Sequence, residues 1–139
     1  MKKSDHAALL FNEYNCAQSV LTVFAEDLGL KEDNSIKIAL AFGGGLAGNK
    51  NICGALTGAM MVFGMKCGIS ENDELQKEKV YSLTNSLFDE FKNKNGTLLC
   101  RELLENDTIT GDEKKELCTN FVKEVVERTE ALISDIDSL

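Results

Sequence analysis

The chain has 139 residues, five cysteines, no proline and no tryptophan, and carries a net charge of −8 at pH 7. That length suits one domain able to bury its own core without disulfide staples. The acidic balance argues against nucleic acid and against an anionic membrane surface, since both need clustered Lys and Arg. Hydrophobic residues at 43% and charged residues at 27% are ordinary for a globular protein. Two lysines open the chain, and Asn12, Glu13 and Asn15 follow where a secretory leader needs an unbroken apolar stretch. A cytoplasmic protein is therefore expected, in which cysteines are more often reactive, ligating or buried than bridged.

In chain order, the first segment spans Ser4 to Leu28 and repeats apolar residues at Leu10, Tyr14, Ala17, Leu21, Phe24 and Leu28. Steps of three and four predict one helix with one buried face. Ser4 is its expected N-cap and Gly29 its expected stop. Ser35 to Phe42 reads as a short helix ended by Gly43-Gly44-Gly45, and a glycine-rich loop runs on to Asn51. A small-residue helix follows from Ile52 to Lys66. The stretch Ile52 to Ile69 contains a GxxxG pattern, but it is short, glycine-rich and carries Lys66, so a buried core helix is expected rather than a membrane span.

Ser70, followed by Glu71, Asp73 and Glu74, marks the next helix start, where negative charge favours the dipole. That helix carries Leu75, Tyr81, Leu83, Leu87, Phe88 and Phe91 before Gly96. A short helix, Leu98 to Leu104, precedes a polar turn from Asn106 to Gly111. The last helix starts near Asp112 with Leu117, Phe121, Val125 and Leu132 on one face, and Cys118, Val122 and Val126 beside them. Strand-type alternation is scarce, and no repeat or linker divides the chain. The expected fold is all-α: a single-domain bundle over residues 1–139, of five to six helices, with a glycine-rich loop before the Cys53 helix.

No CxxC pair occurs among Cys16, Cys53, Cys67, Cys100 and Cys118, which removes the thioredoxin motif, the zinc ribbon and haem attachment. A site would have to be assembled in space from several helices, as bundles do. Cys53 follows the glycine loop at a helix start, where free N–H groups and the dipole favour the thiolate and lower its pKa. Gly54 and Gly58 leave room for close approach by a helix or a cofactor. Cys16 is expected mid-helix, with the amides of Asn15 and Gln18 available to a thiolate or sulfide. His6 reads as a surface residue, and Met60, Met61 and Met65 as core rather than haem ligands. The run Gly43 to Gly48 formally satisfies GxGxxG, but the dinucleotide reading requires a strand before it and a βαβ unit around it. Spacing alone leaves open whether the cysteines form a site or only fill space.

Four blocks carry a resemblance: Tyr14-Asn15-Cys16-Ala17-Gln18-Ser19-Val20; Phe42-Gly43-Gly44-Gly45 leading to Cys53-Gly54-Ala55-Leu56-Thr57-Gly58-Ala59; Leu99-Cys100-Arg101-Glu102-Leu103-Leu104; and Cys118. In these the chain resembles the family of redox-active proteins named for its C-GCAxxG-C-C cysteine pattern. The resemblance implies a helical domain with Cys16, Cys53, Cys100 and Cys118 as its characteristic set, found beside transport or redox functions, and it leaves Cys67 outside. It implies no particular reaction. The loop Gly48 to Ile52 lacks an arginine expected in many members.

Three readings follow. The cysteines exchange between dithiol and disulfide, with Cys53 attacking and Cys16, Cys100 or Cys118 resolving. Alternatively, all four bind a metal or iron–sulfur cluster for electron transfer or redox sensing. In the third reading the domain is a non-catalytic helical interaction module with buried structural cysteines. The expected partner is a redox protein or a transporter-associated system, and a homodimer packed through the Ile52 to Lys66 helix would fit a shared cluster.

Overall fold

The computed structural model describes residues 1–105 and 109–137, so residues 106–108 of the expected polar turn lie outside the described residues. Seven α-helices follow in order: α1 (Lys3–Leu10), α2 (Cys16–Phe24), α3 (Glu32–Ala39), α4 (Gly54–Cys67), α5 (Glu74–Asn95), α6 (Cys100–Leu103) and α7 (Gly111–Asp137). A 3-10 turn, Leu40–Phe42, extends α3. The described residues hold no strand; one isolated antiparallel bridge joins Ile52 to Leu99. The all-α expectation holds.

The helix expected from Ser4 to Leu28 is two helices, because Asn15 starts a new one. The Asn15 side-chain oxygen accepts the Gln18 N–H at 2.9 Å, and the Gln18 side-chain oxygen accepts the Asn15 N–H at 2.9 Å. This reciprocal capping box satisfies two donors at once and outcompetes helix continuation. The apolar stripe survives the break: Ala17, Leu21 and Phe24 are buried, and Leu10 and Leu28 pack against them. Ser4 is not the cap of α1. It lies buried inside the first turn, and Lys2 stands at the cap position without a side-chain bond, so α1 is held by its packing on α7.

Helix α4 is the centre of the bundle, flanked by α2, α5 and α7. Leu56, Ala59, Val62 and Phe63 are fully buried on it, meeting a core that includes Val20, Leu21, Leu87, Phe91, Val122, Val125 and Val126. A Cβ at Gly58 would come within 2.8 Å of the Ala17 carbonyl oxygen, so glycine there lets α2 and α4 approach. The Gly58 face of the small-residue helix is thus occupied by α2 within the chain. Among the described residues no helix is long and apolar enough to cross a membrane.

Other expectations shift by local chemistry. Asp73, not Ser70, caps α5, accepting the Leu75 and Gln76 N–H groups at 2.9 and 3.3 Å. Gly96 ends that helix at φ +87°, a left-handed cap. Leu75 and Tyr81 are exposed, as are Met60 and Met65; of the three methionines on α4, only Met61 packs against the core. In the loop after the 3-10 turn, Gly44, Gly45, Leu46, Ala47 and Gly48 all have φ between +53° and +77°. A left-handed turn with a 3-10 turn before it is incompatible with the strand that a dinucleotide fingerprint needs.

Candidate functional site

Three of the four pattern cysteines stand at helix starts. Cys16 is the first residue of α2, Cys53 is the N-cap residue of α4, and Cys100 is the first residue of α6. Cys118 comes from α7, two turns in. Their side chains line one cavity of about 30 Å³, with Gly54 among them and Leu103, Leu104 and Phe121 completing the wall. All five cysteines are free thiols.

The loop and α6 bring Cys53 and Cys100 together through the backbone. Around the Ile52–Leu99 bridge, Cys53 N–H donates to the Leu98 carbonyl at 2.8 Å, Cys100 N–H to Asn51 at 2.7 Å, and Arg101 N–H to Lys50 at 3.0 Å. Cys16 is seated by an absence: a Cβ on Gly54 would overlap the Cys16 Sγ. Sequence reasoning placed Cys16 mid-helix with neighbouring amides turned to sulfur. Instead Asn15 Nδ2 donates to the Leu40 carbonyl and Gln18 Nε2 to the Ile36 carbonyl, each at 2.9 Å.

Cys67 is buried at the last residue of α4, about 20 Å along the helix from Cys53 at 1.5 Å per residue. It takes no part in the cavity, and neither does Gly58. His6 is exposed on α1. The wall residues Leu103, Leu104 and Phe121 were missed, although the signal was present: two lie within a turn or so of Cys100, and Phe121 stands three residues after Cys118 on the same helix face. A larger groove of about 310 Å³ contains Lys3, Asp27 and Glu130, but it holds no cysteine, and a 2.8 Å Lys3–Asp27 ion pair forms part of its lining.

The electrostatics reverse one expectation. The helix N-terminus does favour the Cys53 thiolate, through N–H groups of Ala55 and Leu56 at the sulfur, but burial dominates and pushes the thiol from near 9 up to about 12, with Cys16 adding to the rise. Burial likewise raises Cys118 to about 11, helped by Cys16 and Cys100. Cys100 is raised by burial too, partly offset by the positive charge of Lys50. At neutral pH Cys53 and Cys118 therefore keep their protons.

A stability prediction follows with a definite sign. The unfolded thiols ionise near 9 while the folded ones hold their protons to about 11 or 12. Above pH 9 the unfolded chain releases protons that the folded chain retains, so stability falls with rising pH across that window. Urea midpoints measured from pH 7 to 11 should decline, and more shallowly in Cys53→Ala. Equal slopes in the two proteins would contradict the burial account.

Among the described residues, no three His, Cys, Asp or Glu side chains are gathered as a single-ion site. The four thiols face a common void without closing on one point. Four thiolates are the donor type that both a thiolate-bound metal and an iron–sulfur cluster use.

Fold and site together define a small helical domain built around a four-cysteine centre. The chain belongs to the family described as "Putative redox-active protein (C_GCAxxG_C_C)", whose profile matches residues 14–132. It is also similar to an uncharacterized protein of Archaeoglobus fulgidus, at 29% identity over 136 residues, covering 91% of this chain and 89% of that protein. No solved structure matches.

Proposed function

We propose that Cys16, Cys53, Cys100 and Cys118 together hold a thiolate-bound iron–sulfur cluster, and that the domain carries electrons or senses oxidant through it. The observation that carries this reading is the convergence of four free cysteines from four helices on one small cavity. Such a cluster supplies reversible one-electron transfer. The chain's residues supply the rest. Thiols that burial keeps protonated make slow nucleophiles for exchange, whereas a metal takes the place of their protons and offsets the repulsion among four thiolates. The Ala55 and Leu56 N–H groups at the Cys53 sulfur stabilise charge there, and Leu103, Leu104 and Phe121 limit water. A cytoplasmic redox protein or a transport-associated system is the partner this reading favours.

One observation favours dithiol–disulfide exchange instead. Cys100 is half-buried on the short α6, beside the charge of Lys50, and is open to a partner, as are Cys16 and Cys118. There, two thiols would give two electrons and two protons to a partner's disulfide, forming one disulfide here and two thiols there.

Anaerobic purification followed by a visible spectrum and iron and sulfide analysis tests the proposal. Iron with charge-transfer bands, both lost in Cys53→Ala, is the expected result. A colourless, iron-free protein whose thiols disappear in pairs on mild oxidation would overturn the cluster in favour of exchange. Metal-free protein with unreactive cysteines would leave the interaction module.

A further inference from the structure

Asn15 stands where α2, the 3-10 turn and the glycine loop meet. Its Oδ1 and backbone N–H close the capping box with Gln18 on either side of Cys16, while its Nδ2 reaches away to the Leu40 carbonyl at 2.9 Å. Capping requires only the acceptor, and serine or aspartate provides one equally well. The second bond ties the start of α2 to a different segment of chain, 25 residues away in sequence.

Gly43 shows how tightly that junction is built. Its φ is −86°, a conformation open to any residue, so glycine is not needed there for the backbone. It is needed for space: a Cβ on Gly43 would overlap the Asn15 carboxamide. Gly43 in turn backs onto Gly54, where an added Cβ would lie 3.1 Å from the Gly43 Cα and overlap the Cys16 Sγ. The Asn15 carboxamide, Gly43, Gly54 and the Cys16 sulfur are thus stacked in contact, with two glycines as the spacers.

We propose that Asn15 is a positioning residue for the four-cysteine centre: its carboxamide clamps the glycine elbow against the start of α2 and so sets the Cys16 sulfur over Gly54 at the cavity wall. The inference rests on reading the four thiols as one site, in either redox form. It assigns a function to the Asn15 amide that helix capping does not require.

The test uses Asn15→Ser, which keeps a neutral cap but loses the donor to Leu40. Alkylation of the reduced 139-residue chain, as purified, is followed at each cysteine by peptide mass spectrometry, alongside thermal unfolding. Cys67, buried at the far end of α4, is the internal reference. Freed from the clamp, Cys16 should react about tenfold faster while Cys67 is unchanged, since local release exposes only the neighbouring thiol. Gly43→Ala should also accelerate Cys16 on its own, yet add little in the Asn15→Ser background, where the displaced amide is gone. Cys16 and Cys67 rising in step would show general loosening and overturn the proposal. So would an unchanged Cys16 rate, or additive effects of the two substitutions. Failure of the four-thiol reading itself appears elsewhere, as a Cys53→Ala protein with unaltered iron content and unaltered oxidation of its other thiols.

Discussion

Gly54→Ala is expected to abolish the cysteine centre while leaving most of the fold intact. The added methyl overlaps the Cys16 Sγ and presses on the Gly43 Cα and the Phe42 carbonyl. Sulfur is the free end of a short side chain, so the cheapest relief is rotation of Cys16 out of the cavity. Overpacking of this kind costs about 1–3 kcal/mol, and at the first residue of α4 alanine's helix propensity offsets little of it. Net stability should therefore drop by no more than about 3 kcal/mol, whereas iron or pairwise thiol oxidation should be lost as fully as in Cys53→Ala. Urea unfolding and iron analysis on one preparation separate the two effects. The double variant Cys16→Ala/Gly54→Ala should regain the lost stability, because the sulfur that clashed is gone. A Gly54→Ala protein with wild-type iron and thiol behaviour would show that the seat of Cys16 on Gly54 is unimportant.

Phe91→Ala carries the largest expected cost to stability, about 3–5 kcal/mol. Phe91 is 2% exposed, between α4 and α7, and meets the Phe121 ring edge-on, with centroids 5.6 Å apart and planes at 61°. Removing the ring leaves a cavity and forfeits an aromatic pair worth about 0.5–1.5 kcal/mol beyond its area. Because Phe121 is also a wall of the cysteine cavity, the damage should reach the site, and cysteine alkylation in Phe91→Ala should quicken at Cys118 before Cys67. Phe91→Leu, which keeps most of the volume, should cost under about 1.5 kcal/mol. A loss below 1 kcal/mol in Phe91→Ala would mean that the core closes over the gap and that Phe91 is no keystone.

Much of the helical plan was legible because its signals are local. The 3.6-residue stripes on α2 and α7 show directly in the chain, and Gly96 caps α5 with positive φ as expected, whereas α2 stops at Phe24, five residues before the expected stop at Gly29. The Asn15 cap was legible too, in the Asn-x-x-Gln spacing, but the longer apolar stripe that runs through it masked the break. Leu75 and Tyr81 misled for a related reason. They fit a helical period, yet both side chains are exposed in the fold, while their neighbour Val80 packs against the core.

The candidate site divides along the same line. The grouping of Cys16, Cys53, Cys100 and Cys118 was readable only through the family pattern, since their spacing matches no local motif. That Cys16, Cys53, Cys100 and Cys118 share a cavity, and that Cys67 does not, depends on contacts between segments as much as 102 residues apart (16 to 118). The Cys53 thiol shows the physical reason most clearly. Its favourable N–H groups are local and can be inferred from a helix start. Its burial is the sum of many distant atoms, and burial prevails. By itself, then, the sequence determined the helices, most of their stops and an acidic, proline-free chain. The tertiary structure alone decided which thiols meet and how tightly they hold their protons, because packing and desolvation are properties of the whole assembly of helices.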